Sequence, residues 1–416
     1  MSPFPDKRIY RLFRISALLF FFVFPVYLLF HYHFWNLLTR IYVVAATLFL
    51  LYRFVAWFYA DVNPPKKYVL SPEPYSIIIP VKDEDPTLFR KVVDMAVQQN
   101  GEKEVLIGDD GSKTAIKILL SKYPELYKNV KVFRSEKNRG KKHTQVRLIE
   151  RAKYDVIVEI DSDVVLENEK VVQSLITPLQ DKMIAIIAGN VRLFNPRKTV
   201  LNRIQSMMYY CQNQIGSRSW GNLGFNPVAS GQLLALRKSV FMPFVKEYLN
   251  KTFLGNPITF GEDRLMTNLL LRGGYRSVYV AVAKARTASC ETWKKYFKQQ
   301  VRWRRSGIRE SFFLLAFSKN PYLLALTFSR LVLPFVFTVL LATSLLSSLL
   351  VGYWFYIFII FGVLILVTII SDIPLLLENY RRLPDLLLFA LCNVLVLSPL
   401  WLYALLTLDK TTWGTR

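Results

Sequence analysis

Two acidic residues, Asp161 and Asp163, close an apolar run that begins at Val156. A short run rich in β-branched residues predicts a buried strand, and because side chains alternate along a strand, the two carboxylates lie on the same side. Hard divalent cations such as Mg²⁺ and Mn²⁺ bind through one or two carboxylates and complete their shell with substrate phosphates and water. The spacing therefore indicates a metal-diphosphate site at a sheet edge, and a solvated strand end with two acids is the alternative.

The segments around this strand alternate between strand and helix patterns. Strands are predicted at residues 76–80, 105–107, 130–133 and 156–160, and helices at residues 86–99 and directly after residue 143. Such alternation predicts an α/β fold whose mostly parallel sheet carries helices on both faces and binds ligands outside the carboxyl ends of its strands. The acidic segments Asp83–Asp85 and Asp109–Ser112 fall at the same edge, so three clusters together favour a nucleotide-diphosphate site over chance.

The chain of 416 residues is 52% hydrophobic and carries a formal net charge of +24. This combination predicts a membrane protein with a folded insert that lies against anionic lipid headgroups and handles anionic substrates. A membrane-tethered nucleic-acid or lipid-binding protein is the weaker alternative. Carboxylates in a binding groove would repel the phosphate backbone of a nucleic acid, so no nucleic-acid partner is expected. The three cysteines are far apart, which predicts neither a disulfide framework nor a zinc site.

Two apolar runs precede the α/β segment, at residues 15–30 and 41–60, and each is close to the ~20 residues that span a bilayer core. Basic residues before the first run place the amino terminus in the cytoplasm, and the second run returns the chain there. Arg53 in the second run either faces a polar pathway or lies near the helix end with its charge at the interface. The α/β domain is therefore predicted to be cytoplasmic.

The chain returns to the membrane after a stretch, Trp293–Ser306, in which aromatic and basic residues interleave as in interfacial helices. Apolar runs at residues 331–351 and 353–370 predict two further spans. The last apolar segment, residues 386–406, is interrupted by Pro399 and flanked by charges, so we predict a re-entrant or interfacial element that returns the carboxyl terminus to the cytoplasm. An ordinary fifth span with a tolerated kink is the alternative. The predicted regions are two transmembrane helices in residues 1–60, the cytoplasmic domain in 61–290, interface helices in 291–325 and a carboxyl-terminal membrane region in 326–416.

Four segments resemble, in order, the motifs of the processive family 2 glycosyltransferases: Pro80–Asp85, Asp109–Ser112, Arg134–His143 and Asp161–Asp163. The resemblance implies a domain of the GT-A type that transfers sugars from UDP-sugars. The roles that it implies are uridine binding by Glu84 and by Asp109 or Asp110, diphosphate binding by Lys141 or Lys142, and nucleotide and metal binding by Asp161 and Asp163.

Glu262 and Asp263 match the acid pair of the same family, whose second member acts as the catalytic base. From the residues alone, the favoured interpretation is that both acids cap a helix from Arg264 to Leu271, because acidic side chains stabilise helix amino termini. A carboxylate beside a cationic diphosphate site can also take the proton of an attacking hydroxyl. The resemblance therefore favours Asp263 as the base with Glu262 beside it, and it assigns Ser230 and Gly231 to the acceptor side.

Gln299–Trp303 matches the Q-x-x-R-W signature of the processive synthases. The resemblance implies that Gln299 binds substrate, that Arg302 faces the diphosphate and that Trp303 stacks under the acceptor sugar, roles that suit a forked cation and an indole face. The terminal residues resemble a loop that gates the active site, with its arginine near the diphosphate. These gating residues are Trp413, Gly414, Thr415 and Arg416.

The closest resemblance is to the bacterial (class I) hyaluronan synthases. It implies a metal-dependent, inverting, processive hexosyltransferase of the cell membrane that acts as a monomer. Such an enzyme makes hyaluronan, a capsule polysaccharide, from UDP-N-acetylglucosamine and UDP-glucuronate and passes the growing polysaccharide through its own channel. The loop Val81–Asp83 and the residues Val164, Gln232 and Glu262 depart from the usual pattern. These departures leave the second sugar open, so a synthase of chitooligosaccharide or of a glucuronate-containing capsule is the alternative.

Overall fold

A computed structural model of the chain describes residues 70–114, 116, 128–351, 358, 362, 375, 376 and 379–411. The two predicted amino-terminal spans with Arg53, nearly all of the predicted span at residues 353–370, and the predicted gating residues Trp413–Arg416 lie outside the described residues. The predicted α/β domain from residue 70 and the last apolar segment can be compared with the structure.

Strands and helices alternate through the first half of the described chain. The strands are β1 Tyr75–Val81, β2 Lys103–Asp109, β3 Val130–Arg134, β4 Val156–Ile160, β5 Val164–Leu166, β6 Ile184–Leu193, β7 Leu233–Arg237, β8 Thr252–Phe253, β9 Asn256–Pro257 and β10 Arg276–Thr287. The α-helices of this part are α1 Pro86–Val97, α2 Lys141–Arg151, α3 Val171–Ile176, α4 Val200–Tyr210, α5 Arg218–Asn222, α6 Lys238–Phe241, α7 Val245–Asn250 and α8 Glu262–Arg272, and a π-helix, Cys211–Ser217, joins α4 to α5. Two short 3₁₀ helices, Thr177–Gln180 and Met242–Phe244, complete this part.

Eight strands form one sheet in the order β3-β2-β1-β4-β7-β6-β10-β5. The first four are parallel, with Ile79 of β1 beside Ile107 of β2 and Ile77 of β1 beside Val158 of β4. Strand β7 runs antiparallel to both of its neighbours, so Leu233 at its start lies opposite Ile160 at the end of β4. The expectation of a mostly parallel α/β sheet is confirmed, and the carboxyl ends of β1, β2 and β4 meet at one edge.

Helices cover both faces of this sheet. Ile77 and Ile79 of β1 contribute to one buried apolar cluster together with Val92 and Val93 of α1, and Ile78 contributes to a second cluster on the opposite face. Because both faces are buried, the central strands are continuously apolar rather than alternating. The second cluster is built by α2, α6 and α8 from residues that include Val146, Leu148, Ile149, Phe241, Leu265, Met266 and Leu269.

Long helices follow the sheet domain. They are α9 Trp293–Phe317, α10 Pro321–Val351, α11 Leu383–Cys392 and α12 Ser398–Leu406. A 3₁₀ turn, Tyr380–Arg382, precedes α11 and a π-helix, Asn393–Leu397, joins α11 to α12, so Tyr380–Leu406 is one continuous helix. By length and composition, the segments Pro321–Thr343 and Tyr380–Leu406 could each cross a membrane, and both have a mean hydropathy of 2.1. The second segment therefore contains no reversal of the chain that a re-entrant hairpin requires.

The helix Tyr380–Leu406 and the residues that follow it contact the sheet domain and α9 at several points. Near its start, the Asp385 carboxylate accepts a hydrogen bond of 2.5 Å from Arg203 Nε on α4. In its middle, the carbonyl oxygen of Leu397 accepts a hydrogen bond of 3.1 Å from Arg304 Nε on α9. Beyond its end, the carbonyl oxygen of Thr411 accepts hydrogen bonds from the backbone N–H and the hydroxyl of Thr259, at 3.2 and 2.7 Å.

Candidate active site

A cavity of about 620 Å³ opens at the sheet edge where β1, β2 and β4 end. It is bounded by the loops after these strands, the start of α2, the segment before β7, the start of α8 and one face of α9. The predicted site residues that line it are Glu84, Asp110, Lys141, Asp161, Asp163, Ser230, Gly231, Glu262, Asp263, Gln299, Arg302 and Trp303. Asp109 and Lys142 do not line it.

The two acids after β2 differ in what they contact. The fully buried Asp109 carboxylate accepts hydrogen bonds from Ser112 N at 2.8 Å and from Arg134 Nη1 at 3.0 Å, so it orders its own loop. The Asp110 carboxylate accepts hydrogen bonds from the backbone N–H groups of Arg139 and Gly140, at 2.8 and 2.9 Å. Asp110 thereby fixes the turn that leads into α2, and its side chain lines the cavity.

Lys141 and Lys142 begin α2, where free backbone N–H groups and the helix dipole favour an anion. Lys141 Nζ lies 2.5 Å from Asp161 Oδ1, 3.3 Å from Glu262 Oε1 and 3.6 Å from Glu159 Oε1. Burial alone would lower the pKa of Lys141, but the three carboxylates raise it well above its ordinary value. Lys141 is therefore a fixed cation that joins the strand carrying the acids to the start of α8.

Lys142 points away from the cavity into the protein. Its Nζ donates to the carbonyl oxygen of Ile258 at 3.3 Å and lies 4.9 Å from the centre of the Tyr248 ring. Because its charge is buried, the pKa of Lys142 is lowered to about 8. Of the two lysines suggested by the sequence for diphosphate binding, the structure places only Lys141 at the cavity.

Asp161 and Asp163 lie beyond the end of β4, in and beside a turn rather than in the strand as predicted, and both line the cavity. The hydroxyl of Ser162 between them donates to Glu84 Oε2 at 2.8 Å. Burial raises the pKa of Asp163 to about 7, and the negative charges of Asp161 and Glu84 contribute to this increase. A divalent cation would offset this repulsion. Among the described residues no group of three or more His, Cys, Asp or Glu side chains could hold a metal. The carboxylates of Asp161 and Asp163 fit Mg²⁺ or Mn²⁺, because these ions need only one or two carboxylates when a diphosphate supplies further oxygens.

Glu262 and Asp263 are the first two residues of α8, and the helix is preceded by Gly261 in the left-handed conformation, with φ of 83° and no side-chain cap. Asp263 accepts hydrogen bonds from Arg264 N at 2.8 Å and from Gly231 N at 3.4 Å. Burial and the charge of Glu262 raise the pKa of Asp263. Burial would also raise the pKa of Glu262, but Lys141 together with Arg302 lowers it. Opposite pKa shifts in two neighbouring carboxyl groups are typical of a site in which one group stays ionised and the other accepts a proton.

Close packing fixes the position of this acid pair. A Cβ atom at Gly261 would lie 2.0 Å from the hydroxyl oxygen of Ser306 on α9, which is closer than any real contact. A Cβ atom at Gly231 would lie 2.9 Å from Lys141 Nζ. Larger residues at either position would therefore move α8 away from α9 or displace the cation.

Further residues of the cavity were not predicted as site residues from the sequence. They include Tyr209, Gln212, Asn213 and Gln232. Glu159 lies buried close to Lys141, and Gln145 Nε2 donates to it at 2.5 Å. Burial raises the pKa of Glu159 to about 7. Two signals could have indicated them: a glutamate inside an apolar strand, and the polar run of the π-helix, an element frequent at functional sites.

Comparisons with known proteins agree with this geometry. The family description "Glycosyl transferase family 2" matches residues 76–242. An N-acetylglucosaminyltransferase from Azorhizobium caulinodans is 32% identical over 349 residues, which are 82% of this chain and 86% of that protein. The chain belongs to glycosyltransferase family 2. A hyaluronan synthase from Streptococcus pyogenes is 28% identical to this glycosyltransferase over 356 residues, 83% of this chain and 84% of that protein.

A solved structure resembles the glycosyltransferase in fold. The mannosyltransferase from Pyrobaculum calidifontis, in complex with GDP-mannose and Mn²⁺, superposes with a TM-score of 0.61, covering 87% of this chain and 98% of that chain at 16% sequence identity. At this identity the likeness concerns the fold alone. The fold is thus GT-A-like, as the sequence motifs implied.

Proposed function

We propose that this glycosyltransferase is a processive, inverting, metal-dependent synthase that extends a β-linked polysaccharide containing N-acetylglucosamine from UDP-sugars. The observation that carries the proposal is the arrangement of Lys141, Asp263 and Trp303 around one cavity. A fixed cation, a buried carboxylate with a raised pKa and an aromatic face are what the diphosphate, the attacking hydroxyl and the acceptor sugar require.

In the proposed reaction, the Asp263 carboxylate takes the proton of the acceptor hydroxyl as that oxygen attacks the anomeric carbon of the donor sugar. The bond to the UDP oxygen breaks on the opposite side, so the configuration inverts. Arg302 and Lys141 stabilise the negative charge that collects on the departing diphosphate. When bound by Asp161 and Asp163, Mg²⁺ or Mn²⁺ would add positive charge at the same diphosphate. The product remains against Trp303 as the next acceptor.

Within this proposal hyaluronan is the first candidate product, made from UDP-N-acetylglucosamine and UDP-glucuronate. The resemblance of the Q-x-x-R-W and carboxyl-terminal motifs and the relative named hyaluronan synthase support it. The relative named N-acetylglucosaminyltransferase is the more similar of the two in sequence and supports the second candidate, a chitooligosaccharide made from one sugar. Both candidates need UDP-N-acetylglucosamine.

The deciding experiment incubates purified protein with each radiolabelled UDP-sugar alone and with the pair, in the presence of Mg²⁺ or Mn²⁺. Polymer formed only with both sugars supports hyaluronan, and polymer from UDP-N-acetylglucosamine alone supports the chitooligosaccharide. The Asp263→Asn variant is the matched control for contaminating synthase. Absence of any sugar transfer, with UDP-sugar binding retained, would reject the synthase proposal.

We further propose that the helix Tyr380–Leu406 lies in the cytoplasmic membrane interface and that the other apolar helices span the cell membrane and form the channel. Contacts near its start through Asp385 and beyond its end through Thr411 hold it against the cytoplasmic domain. A helix that crossed the bilayer core of ~30 Å would carry one end away from that domain. Its exposed apolar side chains face lipid in this arrangement, and they include Tyr380, Leu383, Leu391, Leu395 and Tyr403.

This placement predicts that the carboxyl terminus is cytoplasmic. A cysteine introduced at Thr412, in a background whose three native cysteines are serine, should resist a membrane-impermeant thiol reagent in intact cells and react after permeabilisation. The cysteine-free background is the control. Labelling in intact cells would show that the segment crosses the membrane.

A further inference from the structure

Tyr209 and Gln232 form a polar pair in the wall of the cavity. Gln232 Nε2 donates to the Tyr209 hydroxyl oxygen at 3.0 Å, and both residues line the cavity. The backbone also ties the pair to the donor side, because the carbonyl oxygen of Gln232 accepts a hydrogen bond from Asp161 N at 3.4 Å. The pair therefore has a fixed position relative to the metal-diphosphate site.

The pair also touches the predicted acceptor platform. The ring centres of Tyr209 and Trp303 are 6.3 Å apart, with planes inclined by 67°, so the two rings meet edge to face. This contact holds the indole in one orientation. A pyranose stacked on Trp303 would bring its ring substituents within reach of the neighbouring Tyr209 and Gln232.

The internal hydrogen bond uses one hydrogen of Gln232 Nε2 and the oxygen of Tyr209. Gln232 Oε1 therefore still offers an acceptor and the Tyr209 hydroxyl still offers a donor. Burial raises the pKa of Tyr209, so its hydroxyl remains a donor at neutral pH. A secondary amide is complementary to this arrangement, because its N–H can donate to Gln232 and its carbonyl can accept from Tyr209.

A carboxylate matches the pair less well than an amide does. It could offer no hydrogen to Gln232 Oε1, and the negative charges of Asp163 and Asp161 act on Tyr209. A sugar hydroxyl carries its donor and its acceptor on one atom, whereas the acetamido group carries them on two separate atoms, as the Tyr209–Gln232 pair does.

We propose that Tyr209 and Gln232 form a specificity subsite that recognises the acetamido group of an N-acetylhexosamine at the growing end of the acceptor. The assignment rests on the proposed glycosyltransferase function and adds to it how one kind of acceptor end is recognised. The subsite favours a terminal N-acetylhexosamine over a terminal sugar with a hydroxyl at the same position. For a chitooligosaccharide it would serve every transfer, and for hyaluronan it would serve the step that extends an N-acetylglucosamine end.

The test measures kcat/KM for two acceptors, chitotriose and cellotriose, with UDP-N-acetylglucosamine as donor. Chitotriose carries the acetamido groups and cellotriose carries hydroxyls in their place. The unmodified protein should prefer chitotriose. Gln232→Met and Tyr209→Phe should each reduce this preference by about tenfold, the size expected for one net hydrogen bond. The double variant should lose less than the product of the two, because each group orients the other.

The chain offers a matched control in a second pair with the same chemistry. Gln214 Nε2 donates to the Tyr279 hydroxyl at 3.2 Å, both side chains are buried, and neither lines the cavity. Gln214→Met and Tyr279→Phe should retain the preference of the unmodified protein. Thermal unfolding of all four variants identifies any effect that comes from lost folding.

Each of the following results would overturn the assignment. Equal losses for both acceptors in the Tyr209 and Gln232 variants would make the pair structural. A changed preference between UDP-N-acetylglucosamine and UDP-glucose, with acceptor preference intact, would place the donor sugar at the pair. If the variants transfer sugar with the acceptor preference of the unmodified protein, the subsite alone is rejected. If the unmodified protein transfers no sugar, the proposed function is rejected together with the subsite.

Discussion

Replacing Asp263 by asparagine removes the proposed base and keeps the shape of the side chain. Asparagine Oδ1 can still accept the hydrogen bond of 2.8 Å from Arg264 N, and the bond lost at Gly231 N is long, at 3.4 Å. Lys141 pairs with Glu262 and not with Asp263 at salt-bridge distance, so the diphosphate side is untouched. The substitution therefore separates proton transfer from substrate binding.

The expected loss in turnover is roughly 10²–10⁴-fold, the usual contribution of a positioned general base. Burial and the charge of Glu262 raise the pKa of Asp263 above its ordinary value of 3.8. The base works only when deprotonated, so the activity of the unmodified protein should rise with pH through that raised pKa. The residual activity of Asp263→Asn should lack this acidic limb.

The same pKa shift sets the sign of the effect on stability. Between the unfolded and the raised folded pKa of Asp263, the folded state binds more protons than the unfolded state, so stability falls as pH rises. The loss in the free energy of unfolding is complete above the pKa of Asp263 in the folded state and absent below its pKa in the unfolded state. Because asparagine carries no charge, Asp263→Asn should be at least as stable as the unmodified protein at pH 8.

Calorimetric titration with UDP, UDP release during transfer and thermal unfolding at pH 8 together test this reasoning. Asp155→Asn is the control, because that carboxylate accepts a hydrogen bond of 2.7 Å from Ser239 N and does not line the cavity. Asp263 would be a structural residue if Asp263→Asn lost most of its UDP affinity, or if its thermal stability fell together with its turnover. A loss below tenfold would assign the proton to another group.

Five further substitutions test the donor and acceptor sides. Asp161→Asn and Asp163→Asn should abolish transfer in a folded protein, as chelation should in the unmodified one, and full activity with chelator present would contradict the metal site. Lys141→Gln should weaken UDP binding far more than Lys142→Gln, because only Lys141 lines the cavity, and titration calorimetry would show the reverse order if Lys142 held the diphosphate. Trp303→Ala should impair elongation more than UDP-sugar hydrolysis, and equal losses would place Trp303 outside the acceptor site.

The local pattern of the sequence predicted the first strands because each is a short apolar run bounded by polar residues. The run at residues 105–107 proved to be the centre of Lys103–Asp109, and the acids after it fell at the predicted edge. The direction of β7 could not be predicted. Leu233–Arg237 is an apolar run like the others, and its insertion between β4 and β6 depends on contacts distant in sequence. That insertion brings Gly231 and Gln232 beside Asp161.

The choice between neighbouring candidates also needed the structure. Lys141 and Lys142 are consecutive on α2, so their side chains differ in direction by about 100°. One reaches the cavity and the other reaches Ile258, and nothing in the sequence distinguishes the two. Tyr209 was hidden for a similar reason, since an aromatic residue on an apolar helix face is most often part of the core.

The contacts of the last helix join the proposed membrane interface to the proposed base. The segment from β8 to Gly261 packs through Phe253, Leu254 and Ile258 against apolar residues of α12 and the turn after it, namely Trp401, Ala404, Leu405 and Leu408. Thr259 adds its two hydrogen bonds to Thr411. Three residues separate Thr259 from Asp263, and one of them, Gly261, is packed closely against α9. A shift of α12 relative to α9 must therefore strain the loop that carries the acid pair, so the geometry of the base depends on how the apolar helix is seated.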